Sequence, residues 1–263
     1  MKNKWLIALS AIAIHLSIGG AYAYSVYKNP ITEQMGWSMT NVTIAFTIMM
    51  GLAGFAAALF GNLVEKMGPR KSAIVAAILF GSGQAGAGIA ILADSVLLYW
   101  LTYGLLSGLG MGIGYIAPVS TLVKWFPDRR GLATGMAVLG FGSGALITAP
   151  VATFLMETVG ISNTYFILGV SYFTFMLLGA LYIAPPTDNQ SFEYHKSSSK
   201  GVQPLAQLSA REAVKTKHFW MLWMMHLVNV TAGIMMISVA SPMAQEIVVL
   251  SVAGAATMVG LMG

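Results

Sequence analysis

Long apolar stretches of this sequence contain tyrosines and histidines but no Asp, Glu, Lys or Arg. The residues of interest are Tyr22, Tyr24 and His15 in the first stretch, Tyr115 in the fourth and His226 in the seventh. A tyrosine hydroxyl can donate to a carboxylate, and an imidazole can exchange a proton near neutral pH. We therefore expect the tyrosines to bind a small anion and the two histidines to form a candidate proton relay. Simple packing is the alternative for each histidine.

Charged residues gather in two short segments between apolar stretches. The first, GNLVEKMGPRKSA at 61–73, contains Gly61, Glu65, Lys66, Gly68, Arg70 and Lys71. The second, KWFPDRRGLATG at 124–135, contains Asp128, Arg129 and Arg130. An acidic side chain at a helix end can pair with Arg or Lys in one conformational state only. Pairing of this kind and a basic turn that serves only to orient the chain are the two interpretations of these segments.

The composition indicates that the chain lies in a membrane. Charged residues make up 9% of the sequence and hydrophobic residues 57%, whereas about 25% of a soluble domain is charged. Backbone groups in lipid must satisfy their own hydrogen bonds, so helices are expected. The sequence contains no cysteine, no metal-ligand spacing, no phosphate-binding loop and no nucleophile with a plausible base. We therefore expect no enzyme activity, no catalytic residue, no bound metal and no cofactor.

Seven apolar runs are long enough to cross a bilayer as helices, which takes about 20 residues each. The predicted helices cover 5–27, 42–64, 72–93, 96–123, 131–156, 163–184 and 219–240, and an eighth begins near Ile247. The first run resembles a signal peptide, but it is longer than a typical signal core and further spans follow it. We expect it to remain as an uncleaved first helix.

Lys and Arg favour the cytoplasmic side of a membrane protein. With a cytoplasmic amino terminus, both charged segments lie inside together with Lys196 and Lys200, and Lys28 alone among the basic residues lies outside. This bias accounts for the net charge of +5, so nucleic acid is not an expected partner. The expected location is the plasma (inner) membrane, as a multi-pass protein.

The segment at 61–73 resembles the loop between the second and third helices of the major facilitator superfamily, although Glu65 stands where Asp is usual. The resemblance implies that this segment and the one at 124–135 are gating loops. Three further segments, together with 124–135, resemble the oxalate/formate antiporter family, which includes lactate-type monocarboxylate carriers. They are GAYAYSVYKNP at 20–30, GMGIGYIAPVSTLV at 110–123 and SPMAQE at 241–246. The resemblance implies an all-α membrane fold and transport of small carboxylates by alternating access.

In that family the substrate lies in an aromatic box, whose tyrosines align with Tyr22 and Tyr115. The family's two cationic site residues align beyond Gly263. The resemblance also implies a carrier that is monomeric when full length. Anion exchange, proton-coupled transport of a lactate-type monocarboxylate and a non-transporting membrane sensor remain alternatives.

Two parts of the chain share an order of residues that suggests an internal repeat. Gly20, Ser25 and Pro30 are followed by Glu33, and Gly233, Ser238 and Pro242 are followed by Gln245 and Glu246. Parallel repeats are typical of this fold. We expect a first six-helix bundle at 1–184, a cytoplasmic central loop at 185–216 and the start of a second bundle at 217–263. The chain is thus expected to be part of a twelve-helix carrier.

Overall fold

The computed structural model describes residues 2–186, 210–247 and 250–262. Within these ranges, seven helices are long and apolar enough to cross a membrane. They are α1 (Lys4–Met35), α2 (Met39–Met67), α3 (Pro69–Leu92), α4 (Val96–Trp125), α5 (Arg130–Val159), α6 (Ile161–Tyr182) and α7 (Lys217–Glu246). A shorter helix, α8, covers Val252–Met262, and one helical turn lies at Ala210–Ala213. The predicted all-α membrane fold is confirmed.

Helix α1 is longer than the sequence predicts. It was expected to end near residue 27, but it continues through Lys28 and Pro30 and ends at Gly36, whose φ is 67°. Lys28 is 7% exposed because neighbouring helices cover it, and a proline removes only one helical hydrogen bond donor. Neither residue therefore ends the helix. Within α1, Gly20–Tyr24 forms a tighter 3-10 segment.

The predicted start of the eighth helix near Ile247 is also wrong. Helix α7 continues through Pro242 to Glu246, and the Ile247 backbone N–H closes its last turn on the Met243 carbonyl. Helix α8 therefore begins only at Val252.

The turn between α2 and α3 depends on a glycine and a proline. Gly68 ends α2 with a φ of 79°, a conformation that side chains other than glycine rarely adopt. Pro69 then occupies the first position of α3, where its missing N–H has no helical partner to lose. The result is a tight reversal that projects the flanking charged side chains from one end of the bundle.

The helices approach closely where small residues face each other, as is common between helices in membranes. A Cβ added at Gly144 of α5 would lie 2.5 Å from the Leu16 carbonyl oxygen of α1. One added at Gly112 of α4 would lie 2.4 Å from the Ala53 carbonyl oxygen of α2. Helices α3 and α6 pack in the same way along Gly81 and Gly169. These contacts bring α1, α2, α4 and α5 around a common centre.

Helices α7 and α8 are attached differently from the first six. Helix α8 packs on α5, and α7 contacts α8 and the second half of α1. The buried residues of α7 all lie near its end, at Ile237, Ala240, Ser241, Pro242 and Ala244. The most apolar part of α7 has no buried residue, so most of this helix lies on the surface of the described structure.

Four tyrosines form a buried group, here called the tyrosine cluster, near the α1–α2 and α3–α4 turns. Its members are Tyr27, Tyr99, Tyr103 and Tyr165. The hydroxyls of Tyr99 and Tyr165 are 2.9 Å apart, and the rings of Tyr99 and Tyr103 stack with centroids 5.1 Å apart. Trp37 packs on Tyr99 and donates its indole N–H to Asp94 at 2.7 Å. This end of the bundle is closed by aromatic packing.

Some sequence predictions concern residues outside the described ranges. Most of the central loop predicted at 185–216 belongs to 187–209, which lies outside them, as do Lys196 and Lys200. The division of the chain at residue 184 therefore stays a prediction.

Candidate ligand-binding cavity

A cavity of about 450 Å³ lies between α1, α2, α4, α5 and α7 and is here called the central cavity. Its lining residues are Tyr22, Met50, Ala53, Gly54, Ala57, Met111, Gly112, Tyr115, Val138, Phe141, Gly142, His226, Val230 and Ile234. The walls are mostly apolar, and the polar side chains among these lining residues are Tyr22, Tyr115 and His226. A mostly apolar cleft with a few converging polar groups is typical of a small-molecule site.

Tyr22 and Tyr115 are held in place by the same aromatic ring. Phe141 of α5 meets Tyr22 edge to face, with centroids 4.9 Å apart, and meets Tyr115 in the same way at 5.5 Å. Among the described residues, neither tyrosine hydroxyl has a hydrogen-bond partner. Both hydroxyls are thus available to a ligand, while packing on Phe141 orders their rings.

Sequence reasoning missed Phe141. The residue lies between Gly140 and Gly142 on α5, and the backbone of α1 approaches this helix at Gly19, where an added Cβ would lie less than 2.5 Å from the Phe141 carbonyl oxygen. Glycines on both sides of one aromatic residue are the signal that could have identified it, because they indicate close backbone approach around its ring.

Tyr24, which the sequence also suggested for substrate binding, is not among the lining residues. Its ring stacks on Phe46 with centroids 4.3 Å apart, and its hydroxyl is 3.5 Å from the Thr43 hydroxyl. Residues 22 and 24 both belong to the 3-10 segment, which has about 3 residues per turn. Two positions that are two residues apart therefore point to different sides of the helix.

The two histidines of the predicted relay occupy different environments. His226 lines the central cavity from α7. His15 is fully buried and stacks against Tyr115, with centroids 5.4 Å apart and an interplanar angle of 23°. Its Nδ1 is 3.0 Å from the Ala137 carbonyl oxygen, and its Nε2 is 3.1 Å from the Tyr115 carbonyl oxygen. Among the described contacts, no hydrogen bond joins the two rings.

The gating residues predicted at 61–73 lie at the α2–α3 turn. Glu65, Lys66, Arg70 and Lys71 are exposed, and within the described part of the chain none of them has an ion-pair partner. Gly61 lies one turn earlier on α2, with no atom within 4 Å of an added Cβ, and Gly68 forms the bend. The four charged side chains therefore face outward from the end of the bundle.

The second predicted gating segment lies at the start of α5. Asp128 and Arg129 belong to the 3-10 turn Pro127–Arg129, and Arg130 is the first residue of α5. Asp128 and Arg129 also line a smaller cleft of about 330 Å³ with Lys4 of α1. The second segment lies beside Lys4, at the start of α1. Because the chain crosses the bundle twice, through α1 and α2, before it reaches the α2–α3 turn, that turn returns to the same end. Both charged segments therefore lie at one end of the bundle.

No group of three His, Cys, Asp or Glu residues among the described side chains could hold a metal ion.

Membrane-spanning helices packed around a central cavity are the architecture of a membrane transport protein. Residues 9–263 match the family described as Major Facilitator Superfamily. Because this match covers almost the whole chain, the protein belongs to that family. A solved structure of similar fold is the bacterial homolog of the human lysosomal transporter Spinster, in an inward-facing and unoccupied conformation. Its TM-score is 0.66 at 15% sequence identity, over 98% of this chain and 59% of that one.

Several curated proteins are similar in sequence. The uncharacterized MFS-type transporter YhjX of Escherichia coli is 29% identical over 259 residues, which cover 98% of this chain and 62% of that protein. The oxalate:formate antiporter of Oxalobacter formigenes is 28% identical over 226 residues, or 85% of this chain and 51% of that protein. Monocarboxylate transporter 14 of Mus musculus is 26% identical over 67% of this chain and 34% of its own length. The chain thus spans less than two thirds of each relative.

Proposed function

We propose that this chain forms part of a secondary carrier for small carboxylates, which exchanges oxalate and formate or carries a related monocarboxylate. The observation that supports the proposal best is the pair of hydroxyls on Tyr22 and Tyr115. Both line the central cavity, and neither has a partner among the described residues. A carboxylate needs such donors, because a polar group that leaves water without new hydrogen bonds loses several kcal/mol.

The chemistry of the cavity suits a small anion. Two phenol hydroxyls donate from α1 and α4, His226 adds a third polar group from α7, and Phe141 closes the wall between the tyrosines. Apolar walls strengthen these few interactions, since they lower the local dielectric constant. The similarity to the oxalate:formate antiporter and to monocarboxylate transporters supports the same substrate class.

The proposed mechanism is alternating access, in which two helical units rock about a central site. His226 reaches the cavity from α7, which packs on the first six helices mainly through its last turns. Movement of α7 relative to α1 would therefore open or close the cavity without disturbing the packed six-helix unit. The charged turns at 61–73 and 124–135 act as gates that pair with partners in one state only.

The remaining parts of the proposal concern the setting of the carrier. The distribution of Lys and Arg supports a cytoplasmic amino terminus in the plasma (inner) membrane. We expect the full-length carrier to work as a monomer, with the lipid bilayer and a small carboxylate as its partners.

Counterflow in proteoliposomes tests the proposed function. Vesicles that contain the full-length carrier are loaded with unlabelled oxalate, formate or lactate. The same anion in labelled form is added outside, and its uptake into the vesicles is measured. We expect saturable uptake above that of empty vesicles for at least one anion. The neutral amides of the same acids serve as matched controls and should not compete, because they lack the carboxylate charge. Binding of an anion without flux would favour a sensor, and competition by the amides would contradict carboxylate recognition.

A further inference from the structure

His15 is held between two backbone carbonyls that belong to different helices. Its Nδ1 is 3.0 Å from the oxygen of Ala137 on α5, and its Nε2 is 3.1 Å from the oxygen of Tyr115 on α4. The side chain is fully buried. Both ring nitrogens therefore have an acceptor, and neither has a donor.

This arrangement favours one protonation state of the ring. A neutral imidazole has one N–H donor and one nitrogen that can only accept, whereas the imidazolium donates from both nitrogens. In the neutral ring, one nitrogen lone pair would face a carbonyl oxygen at hydrogen-bond distance, and that contact is repulsive. The Tyr115 and Ala137 carbonyls can thus accept hydrogen bonds from both nitrogens of a protonated ring.

Among the described residues, no oppositely charged side chain contacts His15. Tyr115 of α4 stacks on its ring, and Tyr22 of α1 and His226 of α7 are the other titratable side chains that line the adjacent cavity. Helix α5 faces it with Phe141, and α6 approaches the adjacent turn of α1 through Gly179. The nearest charged residues along α1 are Lys4 and Lys28. A buried cation is costly without a counter-charge, so an anion bound nearby would stabilise the protonated ring.

The central cavity places such an anion close to His15. The ring of Tyr115 lines the cavity and stacks on the His15 ring. A carboxylate that accepts a hydrogen bond from the Tyr115 hydroxyl is therefore separated from the imidazole by little more than one aromatic side chain. In an apolar interior, opposite charges at this separation attract each other strongly.

We propose that His15 is the proton-binding site of the carrier and takes up one proton when a carboxylate enters the central cavity. The proton comes from bulk water and binds the ring nitrogen that lacks one. It returns to water when the carboxylate leaves. This inference rests on the proposed function and selects proton-coupled carboxylate transport from the modes that the sequence leaves open. His226, which lies on the cavity surface, acts as a ligand of the anion and not as the coupling site.

Thermodynamic linkage between proton binding and carboxylate binding makes the proposal testable. If one proton binds with each carboxylate, the affinity for the carboxylate falls by about tenfold for each pH unit above neutrality, where the free carrier holds a neutral ring. Oxalate and formate remain ionised over this range, so the pH dependence belongs to the protein.

The test measures oxalate and formate binding to the purified full-length carrier between pH 6 and pH 8. The variants are His15→Gln, which keeps a donor but cannot titrate, His226→Gln at the cavity wall, and His218→Gln as the matched control at the exposed start of α7. We expect the wild type and His218→Gln to show the about tenfold change per pH unit. His15→Gln should show none, and His226→Gln should bind more weakly with an unchanged pH dependence. A dependence that survives in His15→Gln, or that disappears in His226→Gln, would overturn the proposal.

A second measurement covers the case in which His15→Gln does not fold. Nitrogen-15 NMR of the histidine-labelled wild type in lipid distinguishes a ring with two N–H groups from a ring with one. We expect a second N–H at a buried histidine on addition of saturating oxalate or formate. A buried ring that stays singly protonated with anion bound would overturn the inference. Absence of anion binding at every pH would overturn the proposed function as well, whereas binding of pH-independent affinity would overturn this inference alone.

Discussion

Two groups of tyrosines in this molecule differ in what their hydroxyls contact. In the tyrosine cluster, Tyr99 and Tyr165 bond each other at 2.9 Å, and the surrounding rings are buried. At the central cavity, Tyr22 and Tyr115 share an edge-to-face neighbour in Phe141 but have no hydroxyl partner among the described residues. The residue type is the same in both regions, and it is the burial of the rings, together with the Tyr99–Tyr165 hydroxyl pair, that marks the first region as packing.

The difference has a simple physical origin. A buried hydroxyl without a partner is costly, so tyrosines that serve packing pair with each other or with a nearby side chain. Tyr172 follows this rule, because its hydroxyl is 2.9 Å from that of Thr148. A hydroxyl that faces a cavity stays hydrated until a ligand replaces the water. We therefore expect substitutions in the first region to change stability and substitutions in the second to change affinity.

The largest expected effect comes from enlarging a glycine at the close contact between α1 and α5. A Cβ at Gly144 would lie 2.5 Å from backbone atoms of Leu16 and Gly19, which cannot move without displacing α1 from α5. Gly144→Ala should therefore lose about 3 kcal/mol or more of stability, at the upper end of the range for overpacking. The measurement is the yield of folded protein after extraction and its thermal unfolding.

Gly54→Ala is the matched control for this substitution. Gly54 lines the central cavity, and no atom lies within 4 Å of an added Cβ. The variant should fold like the wild type. Equal losses for the two alanine variants would mean that close packing between α1 and α5 does not hold the cavity wall.

The next effect concerns binding at the cavity. Tyr115→Phe in the full-length carrier should weaken carboxylate binding by roughly 1 to 3 kcal/mol, because one donor to the anion is removed. Tyr103→Phe, which alters a buried ring away from the cavity, should leave the affinity nearly unchanged. Affinities are measured by titration of the purified protein. If the two variants behaved alike, the cavity would not be the binding site.

A smaller effect is expected in the tyrosine cluster itself. Tyr165→Phe removes the partner of the buried Tyr99 hydroxyl and should lower the unfolding free energy by about 1 to 2 kcal/mol. Carboxylate affinity should not change, since the hydroxyl lies outside the cavity. Thermal unfolding and titration of the same sample decide the matter. Weaker binding with unchanged stability would reverse the roles assigned to the two regions.

The sequence predicted the fold well because the bilayer imposes strong constraints. Long apolar runs must become helices, and the seven spans appear in the described residues. Helix ends were harder to predict. Lys28 and Pro30 look like the end of a span, yet tertiary contacts bury Lys28 and carry α1 on to Met35. Hydropathy averages over a whole segment, so it cannot predict how neighbouring helices pack on a single side chain.

The candidate site was predictable only in part. Glycines around Tyr115 and the position of Tyr22 pointed to residues that do line the cavity, while their binding role stays a prediction. Tyr24 has the same composition around it, but it lies two positions from Tyr22, on another side of the helix, and its ring stacks on Phe46. The contacts of His15 with two carbonyls depend on three helices at once, and no local pattern contains that information.

The smallest effect is expected far from both groups of tyrosines, at the α2–α3 turn. Glu65 and Arg70 are exposed and have no ion-pair partner within the described residues, so their substitution should hardly affect stability, because exposed ion pairs contribute about 0 to 1 kcal/mol. A gate that pairs in one state only shifts the equilibrium between states by a similar amount. Glu65→Gln and Arg70→Ala should therefore change the counterflow rate by up to about fivefold and leave carboxylate affinity within error.

The matched control is Glu157→Gln, which replaces an exposed carboxylate near the end of α5 and should change neither quantity. Equal changes in rate and affinity would place these residues in the binding site, and no change in either would leave them as signals of membrane orientation alone.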